Sequence, residues 1–161
     1  MEIALVRVDN RLVHGQILEA WVPFLKATRI AVVDDQVAGD FFRETVIRMA
    51  VPREVAVTIH SVEEFAAGAA ENGRGPKEIV LFSCIADALK AYDLGFRFKT
   101  LNIGNIYNEN CSLCCTPSVL LSDEDIRDVF SLYERGVEIE LRRVPREKPL
   151  DFRDVVRRRK N

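Results

Sequence analysis

The stretch Ile3-Ala4-Leu5-Val6-Arg7-Val8-Asp9-Asn10-Arg11-Leu12-Val13-His14-Gly15-Gln16-Ile17-Leu18-Glu19-Ala20-Trp21 decides the fold. Ile3 to Val8 is an apolar run broken only by Arg7, the pattern of a strand covered on both faces. Polar residues end it. After Gly15 the apolar positions Ile17, Ala20, Trp21, Phe24 and Leu25 recur at helical spacing, and Pro23 among them predicts a kinked or shortened helix. The chain therefore opens as strand, loop and helix.

The same alternation continues outward from this unit. Arg29 to Val33 reads as a strand, and Phe42, Val46, Met49 and Ala50 mark the apolar stripe of a helix that Pro52 closes. Val55 to Ile59 is a third strand. Ser61 with Glu64 forms a capping box ahead of the face Val62, Phe65, Ala66 and Ala69, and the run from Asn72 to Pro76 breaks the chain. Glu78 to Phe82, a helix over Ile85 to Tyr92 with Gly95 past its end, and Thr100 to Ile103 follow. From Gly104 to Pro117 the chain is polar and cysteine-rich, a loop or irregular hairpin before the short strand Ser118 to Leu121. Ser122 with Asp125 caps a helix whose face is Ile126, Val129, Phe130 and Tyr133. Gly136 stops that helix, and Val137 to Val144 alternates as a last strand.

Strands alternating with helices of this length imply an α/β class: a single open, mainly parallel β-sheet with helices on both faces. No linker divides the chain, so one domain over 1–161 is expected. Its final twenty residues are basic, with nine Lys or Arg against three acids, and residues 146–161 read as a solvated, frayed tail.

Among the 161 residues 48% are apolar, enough for one core, and the formal charge of -2 excludes a wholly basic nucleic-acid binder. No nucleic-acid partner is expected. Nothing approaches the roughly 18 consecutive apolar residues of a membrane span, and Met1-Glu2 leads directly into a strand rather than a leader. A cytoplasmic location is the expectation. Cys111, Cys114 and Cys115 crowd together instead of spreading like a secreted disulfide framework, and read as reduced thiols. With Cys84 they could supply zinc ligands, but one C-x-x-C without a second spaced pair is a weak signal, and no metal is assigned.

Ligands of open α/β sheets bind beyond the carboxyl ends of the strands, which places the loop from Asp9 to Gly15 where chemistry is expected. There His14 stands at the mouth of a helix, with Arg11 in the loop and Arg7 at the strand end. Helix-start amides at Gly15 and Gln16 and guanidinium groups at Arg7 and Arg11 together describe a phosphate site. Imidazole, with a reference pKa of about 6.5, suits reversible phosphoryl transfer, because it is largely neutral near pH 7 and its product stays reactive. The step is dominated by positioning and charge stabilisation, and calls for no metal or cofactor. Asp9 either orients the imidazole or fixes Arg11. Asp35, after the second strand, is a candidate for the layer behind the site, equally readable with Asp34 as a turn or helix entry. His60 and Trp21 read as packing residues.

The segment Val8-Asp9-Asn10-Arg11-Leu12-Val13-His14-Gly15-Gln16-Ile17 resembles the signature of the mannose/fructose/sorbose-family IIB component of the bacterial phosphotransferase system. The likeness extends through Val32-Val33-Asp34-Asp35, Met49-Ala50, Pro52, Leu101-Asn102-Ile103-Gly104 and Glu134 to Ile139, covering the chain to about Pro145. The resemblance implies that His14 is phosphorylated by a IIA phosphohistidine and phosphorylates a sugar held by membrane-embedded IIC and IID components, with Nδ1 as the accepting nitrogen. It implies peripheral association with the inner face of the membrane, matches Arg7 and Arg11 to phosphate-side arginines, and matches Asp9 to the acid of that loop. Three departures stand out. Asn10 replaces a usual second aspartate, Gly104-Asn105 replaces a common Gly-Gly, and Asn108 to Thr116 does not resemble the usual loop. Whether copies of the chain associate stays open.

Three other functions compete with this one. A phosphotransferase-derived regulatory module would keep His14 phosphorylation as a signal without sugar transport. A histidine phosphatase would need arginine immediately before the histidine, where Val13 stands, and a dinucleotide oxidoreductase would need a G-x-G-x-x-G that is absent.

Overall fold

The structure, a computed structural model, describes residues 1–69 and 73–160. Asn72 of the predicted break and Asn161 of the predicted tail lie outside them. In chain order the strands are β1 (Glu2–Asp9), β2 (Arg29–Val33), β3 (Ala56–His60), β4 (Lys77–Phe82), β5 (Thr100–Asn105), β6 (Leu113–Thr116), β7 (Val119–Leu121), β8 (Glu138–Leu141) and β9 (Leu150–Asp151). The helices are α1 (Val22–Leu25), α2 (Asp35–Ala38), α3 (Phe41–Ala50), α4 (Val62–Gly68), α5 (Ile85–Asp93), α6 (Asp123–Glu134) and α7 (Phe152–Lys160). Seven strands form an open sheet in the order β3-β2-β4-β1-β5-β8-β9, parallel except for β8 with β9, and β6 pairs with β7 in a separate hairpin.

The central strands are continuously buried over Val6–Asp9, Ile30–Val33 and Glu78–Phe82, because each face is covered. Val6, Val8, Val80, Phe82, Leu101 and Ile103 pack with Phe65, Ile85, Ala88, Val129 and Leu132 of α4, α5 and α6 on one face. Ile30, Val32, Ile79 and Leu81 pack with Leu12, Ile17, Trp21 and Val37 on the other. Alternate residues of each strand feed opposite cores, as period-two side-chain direction requires. Each such aliphatic side chain contributes about 1.5–3 kcal/mol by leaving water. The expected capping boxes at Ser61 with Glu64 and at Ser122 with Asp125 are both formed.

Five expectations are corrected. The helix after Gly15 is a π-helical segment over Gln16–Trp21, closed by the Val22 N–H on the Ile17 carbonyl, before the short α1 carries Pro23 in its first turn. Pro23 has no N–H to continue that ladder, and it stands where the π-helical segment gives way to α1. The stripe Phe42, Val46, Met49 and Ala50 faces outward, with Phe41 84%, Phe42 76% and Met49 81% exposed, while Ile47 packs inward. On α6 it is Val129 and Leu132 that are buried, and Phe130 and Tyr133 lie at the rim. The last strand stops at Leu141, and the predicted tail forms β9 and α7, because Phe152 and Val155 share one helical face and bury it, Phe152 against the Phe130 ring at 5.7 Å.

Candidate active site

From β1 the chain runs to β2 on one side, and from the adjacent β5 it runs to β8 on the other. The crevice of such a sheet opens between the carboxyl ends of those two strands, here at Asp9 and Asn105. The register pairs Val8 with Ile103 but Asp9 with Asn105, so Gly104 is an extra residue that bulges β5. Such a bulge redirects the next side chain. It brings Asn105 opposite Asp9.

Local chemistry shapes the loop. The Arg11 N–H donates to Asp9 Oδ1 at 3.0 Å and the Leu12 N–H to the Asp9 carbonyl at 2.9 Å, an Asx-stabilised tight turn. Leu12 adopts φ of 56°, a left-handed conformation costing a leucine about 1–2 kcal/mol, and its side chain is buried with Ile17 and Trp21. The His14 carbonyl then accepts from the Ile17 and Leu18 N–H groups and starts the helical segment. π-helical turns occur often at functional sites.

The Asp9 carboxylate is fully buried and is the centre of the arrangement. Its Oδ2 accepts from Arg7 Nη2 at 2.9 Å, Arg7 Nε at 3.2 Å, Asn105 Nδ2 at 2.8 Å and His14 Nε2 at 2.8 Å. Burial pushes the Asp9 carboxyl up, but the hydrogen bond from His14, the Arg7 charge and the Asn105 amide outweigh it and hold the group below the usual carboxylate range. An ionised carboxylate only accepts, so Nε2 of His14 carries the ring proton. On the other side of the ring the Gln16 N–H points to Nδ1 at 3.4 Å, a contact that needs a lone pair there. His14 is 14% exposed, enough to be reached from outside.

The structure thus gathers Asp9, His14, Arg11, Gly15 and Gln16 at one crevice. Asp9 contacts both groups proposed for it: the imidazole directly, and Arg11 Nε at 3.9 Å. Arg11 is 52% exposed and free to meet an anion. Arg7 is placed differently from expectation. Its guanidinium is wholly buried, donates to Asp9, to Asn102 Oδ1 at 2.7 Å, to the Arg142 carbonyl at 2.9 Å and to Gln16 Oε1 at 3.3 Å, and lies 5.7 Å from the Trp21 ring. It supports Asp9 from beneath rather than facing an incoming phosphate. Burial pushes the Arg7 guanidinium down, with the Asp9 charge acting against that.

Asp35 is placed elsewhere: its Oδ1 accepts from the Val62 N–H at 2.8 Å, at the start of α4. Asp34 caps α2 through the Val37 N–H and accepts from the Ser83 hydroxyl. Asn10 ties the loop down, its amide donating to the Ser83 carbonyl and its Oδ1 accepting from the Tyr107 N–H. His60 lies 5.8 Å from the Phe65 ring, and the Trp21 indole N–H donates to the Arg143 carbonyl. Cys111 and Cys114 are exposed, whereas burial pushes the Cys115 thiol up to about 11. In the sequence Asn105 stands out only as a departure from the common Gly-Gly. The available signal was a glycine inside a strand, which marks a bulge or a close backbone approach. Beside the site an open groove of about 600 Å³ runs from Gly15 and Gln16 past Phe24 to Pro145 and Arg146.

Residues 3–161 match the family model described as PTS system sorbose subfamily IIB component. The PTS system fructose-specific EIIB component of Bacillus subtilis (strain 168) is 35% identical, the match covering 98% of this chain and 97% of that protein. The PTS system mannose-specific EIIAB component of Escherichia coli (strain K12) is 29% identical over 97% of this chain and 49% of that longer protein. The crystal structure of the IIBSor domain of the sorbose permease from Klebsiella pneumoniae superposes with a TM-score of 0.87 at 30% identity, covering 98% of each chain. The chain belongs to the sorbose subfamily of phosphotransferase-system IIB components.

Proposed function

We propose that this chain is a phosphocarrier: His14 accepts a phosphoryl group from a IIA phosphohistidine and passes it to a sugar held by membrane IIC and IID components. The observation that carries the reading is the 2.8 Å contact between Asp9 Oδ2 and His14 Nε2, which leaves Nδ1 as the nucleophile at the mouth of the site. Nδ1 bonds to phosphorus as the N–P bond of the donor breaks, and that bond's electron pair returns to the donor imidazole. The His14 ring keeps its Nε2 proton and gains positive charge, which the Asp9 carboxylate offsets at hydrogen-bond distance. On discharge the Nδ1–P electron pair returns to His14, and phosphorus bonds a sugar hydroxyl oxygen whose proton passes to a base of the sugar-binding partner.

Arg11 and the amides of Gly15 and Gln16 supply the donors for the phosphoryl oxygens, with Arg7 acting through Asp9. A relative whose name joins A and B components in one chain supports a IIA donor. The groove beside Gly15 suits transient docking, and carriers must release after each transfer. No helix among the described residues is long and apolar enough to cross a membrane, so membrane association in this reading runs through IIC and IID from the cytoplasmic side.

The test supplies purified protein with the general phosphotransferase proteins, a cognate IIA and phosphoenolpyruvate. One phosphoryl group should appear on His14, acid-labile and alkali-stable as a phosphoramidate is, and membranes carrying IIC and IID should convert it to sugar phosphate. His14→Ala should take none, while His60→Ala should behave as the parent. Label retained in His14→Ala would sink the assignment.

A further inference from the structure

Asn105 lies outside the set of groups that meet substrate, yet its amide NH₂ has both protons placed in the site. One goes to Asp9 Oδ2 at 2.8 Å and the other to Gln16 Oε1 at 3.0 Å. The reverse orientation of the Asn105 amide would set an oxygen against two oxygens. Gln16 is fixed in the same way, since its Oε1 also accepts from Arg7 Nη2 at 3.3 Å and a flipped amide would meet two donors.

We propose that Asn105 is a positioning residue for phosphoryl transfer, its bridge between Asp9 and Gln16 setting the groups on both sides of the His14 imidazole. On the Nε2 side it works through Asp9. The Arg11 N–H holds Oδ1, and Arg7 with Asn105 holds Oδ2, so the carboxylate cannot turn from the ring or readily take up a proton. On the Nδ1 side it works through Gln16, whose main-chain N–H meets Nδ1 at 3.4 Å. With its oxygen held from within, Gln16 keeps its own NH₂ as the remaining donor end of the side chain. Asn105 is half-buried and belongs to neither apolar core, and its main-chain carbonyl separately accepts from the Asn10 N–H at 2.9 Å. Side chain and main chain therefore do separable work, and losing the side chain leaves the strand end attached.

The inference deepens the phosphocarrier reading, and its rate arm rests on it; a second arm does not. Full-length protein with ¹⁵N-labelled histidine, in long-range proton–nitrogen spectra at a pH where the ring is neutral, reports which nitrogen carries the proton. The parent should show His14 with its proton on Nε2. Asn105→Gly should keep the parent's unfolding midpoint within a few degrees, yet mix the two tautomers and slow acceptance roughly 10-fold, the loss typical of an outer-layer partner. Asn105→Ser, with one hydroxyl donor, should recover the Nε2 tautomer but only part of the rate, because it cannot bridge both oxygens. Asn105→Gly with the parent's tautomer and rate overturns the proposal. Should the parent accept no phosphoryl group, the phosphocarrier reading fails, and the spectra alone still decide the role of Asn105.

Discussion

A Cβ added to Gly104 would lie 1.9 Å from Nη2 of Arg7. The glycine is required because the guanidinium passes against the bulge of β5, not because of an unusual backbone angle. Arg7 cannot give way, since Asp9, Asn102, Gln16 and the Arg142 carbonyl all hold it. Gly104→Ala should therefore destabilise by about 3 kcal/mol, the upper end for overpacking. At this chain length that lowers the thermal midpoint by roughly 6–12 °C. An unchanged midpoint in a differential scanning experiment would place Arg7 elsewhere.

Asp9→Asn should cost about 3–5 kcal/mol at neutral pH, because it leaves the buried Arg7 charge without its partner. The sign with pH follows from the depressed Asp9 carboxyl. Its contribution is fully present above the ordinary carboxylate value of about 3.9 and is lost as pH falls below that toward the folded-state value. Urea unfolding at neutral pH and again below pH 4 should show the gap between parent and Asp9→Asn narrowing in acid. A gap that widens in acid contradicts the ion pair.

The exposed stripe of α3 gives a prediction opposite to that of helical periodicity. Phe42→Ser and Met49→Lys should each change stability by no more than about 0.5 kcal/mol, as surface substitutions do. Ile47→Ala should cost clearly more, since Ile47 packs against the sheet. Denaturant midpoints check this, and a loss of about 2 kcal/mol or more at Phe42 would mean that the helix is turned inward.

That reversal shows what periodicity carries. The spacing of Phe42, Val46 and Met49 identifies one face of a helix but not the direction in which it points. The strand-helix alternation, both capping boxes and the place of His14 beyond β1 were legible because each depends on residues close in sequence. The surroundings of Asp9 were not. Asn105 reaches it across 96 positions, through a bulge whose only local mark is one glycine. Arg7 beside a phosphate-like loop read as an anion grip, and only the Asn102 and Arg142 contacts reveal it as a buried support. The basic tail read as frayed because arginines dominate it, although Phe152 and Val155, three apart, suffice to dock a helix.

The two arginines should separate cleanly under substitution, because they differ in burial and not in charge. Arg11 is 52% exposed and its nearest carboxylate contact is 3.9 Å long, so Arg11→Ala should leave stability within about 0.5 kcal/mol of the parent. In the phosphocarrier reading it should nonetheless slow acceptance by on the order of 10²-fold, the effect of removing one donor to developing phosphoryl charge. Arg11→Lys should recover part of that rate, keeping the charge but losing the planar two-point grip. Arg7 should instead show its loss in stability. Arg7→Ala leaves Asp9 buried without its counter-charge and should fall in stability by about 3–5 kcal/mol. Arg7→Lys should not restore it, since one ammonium cannot match a fork that reaches Asp9, Asn102, Gln16 and the Arg142 carbonyl together. Thermal midpoints and single-turnover transfer measured side by side make the comparison. A stable Arg7→Ala protein with slow transfer, or an unstable Arg11→Ala protein, would exchange the roles assigned to the two residues.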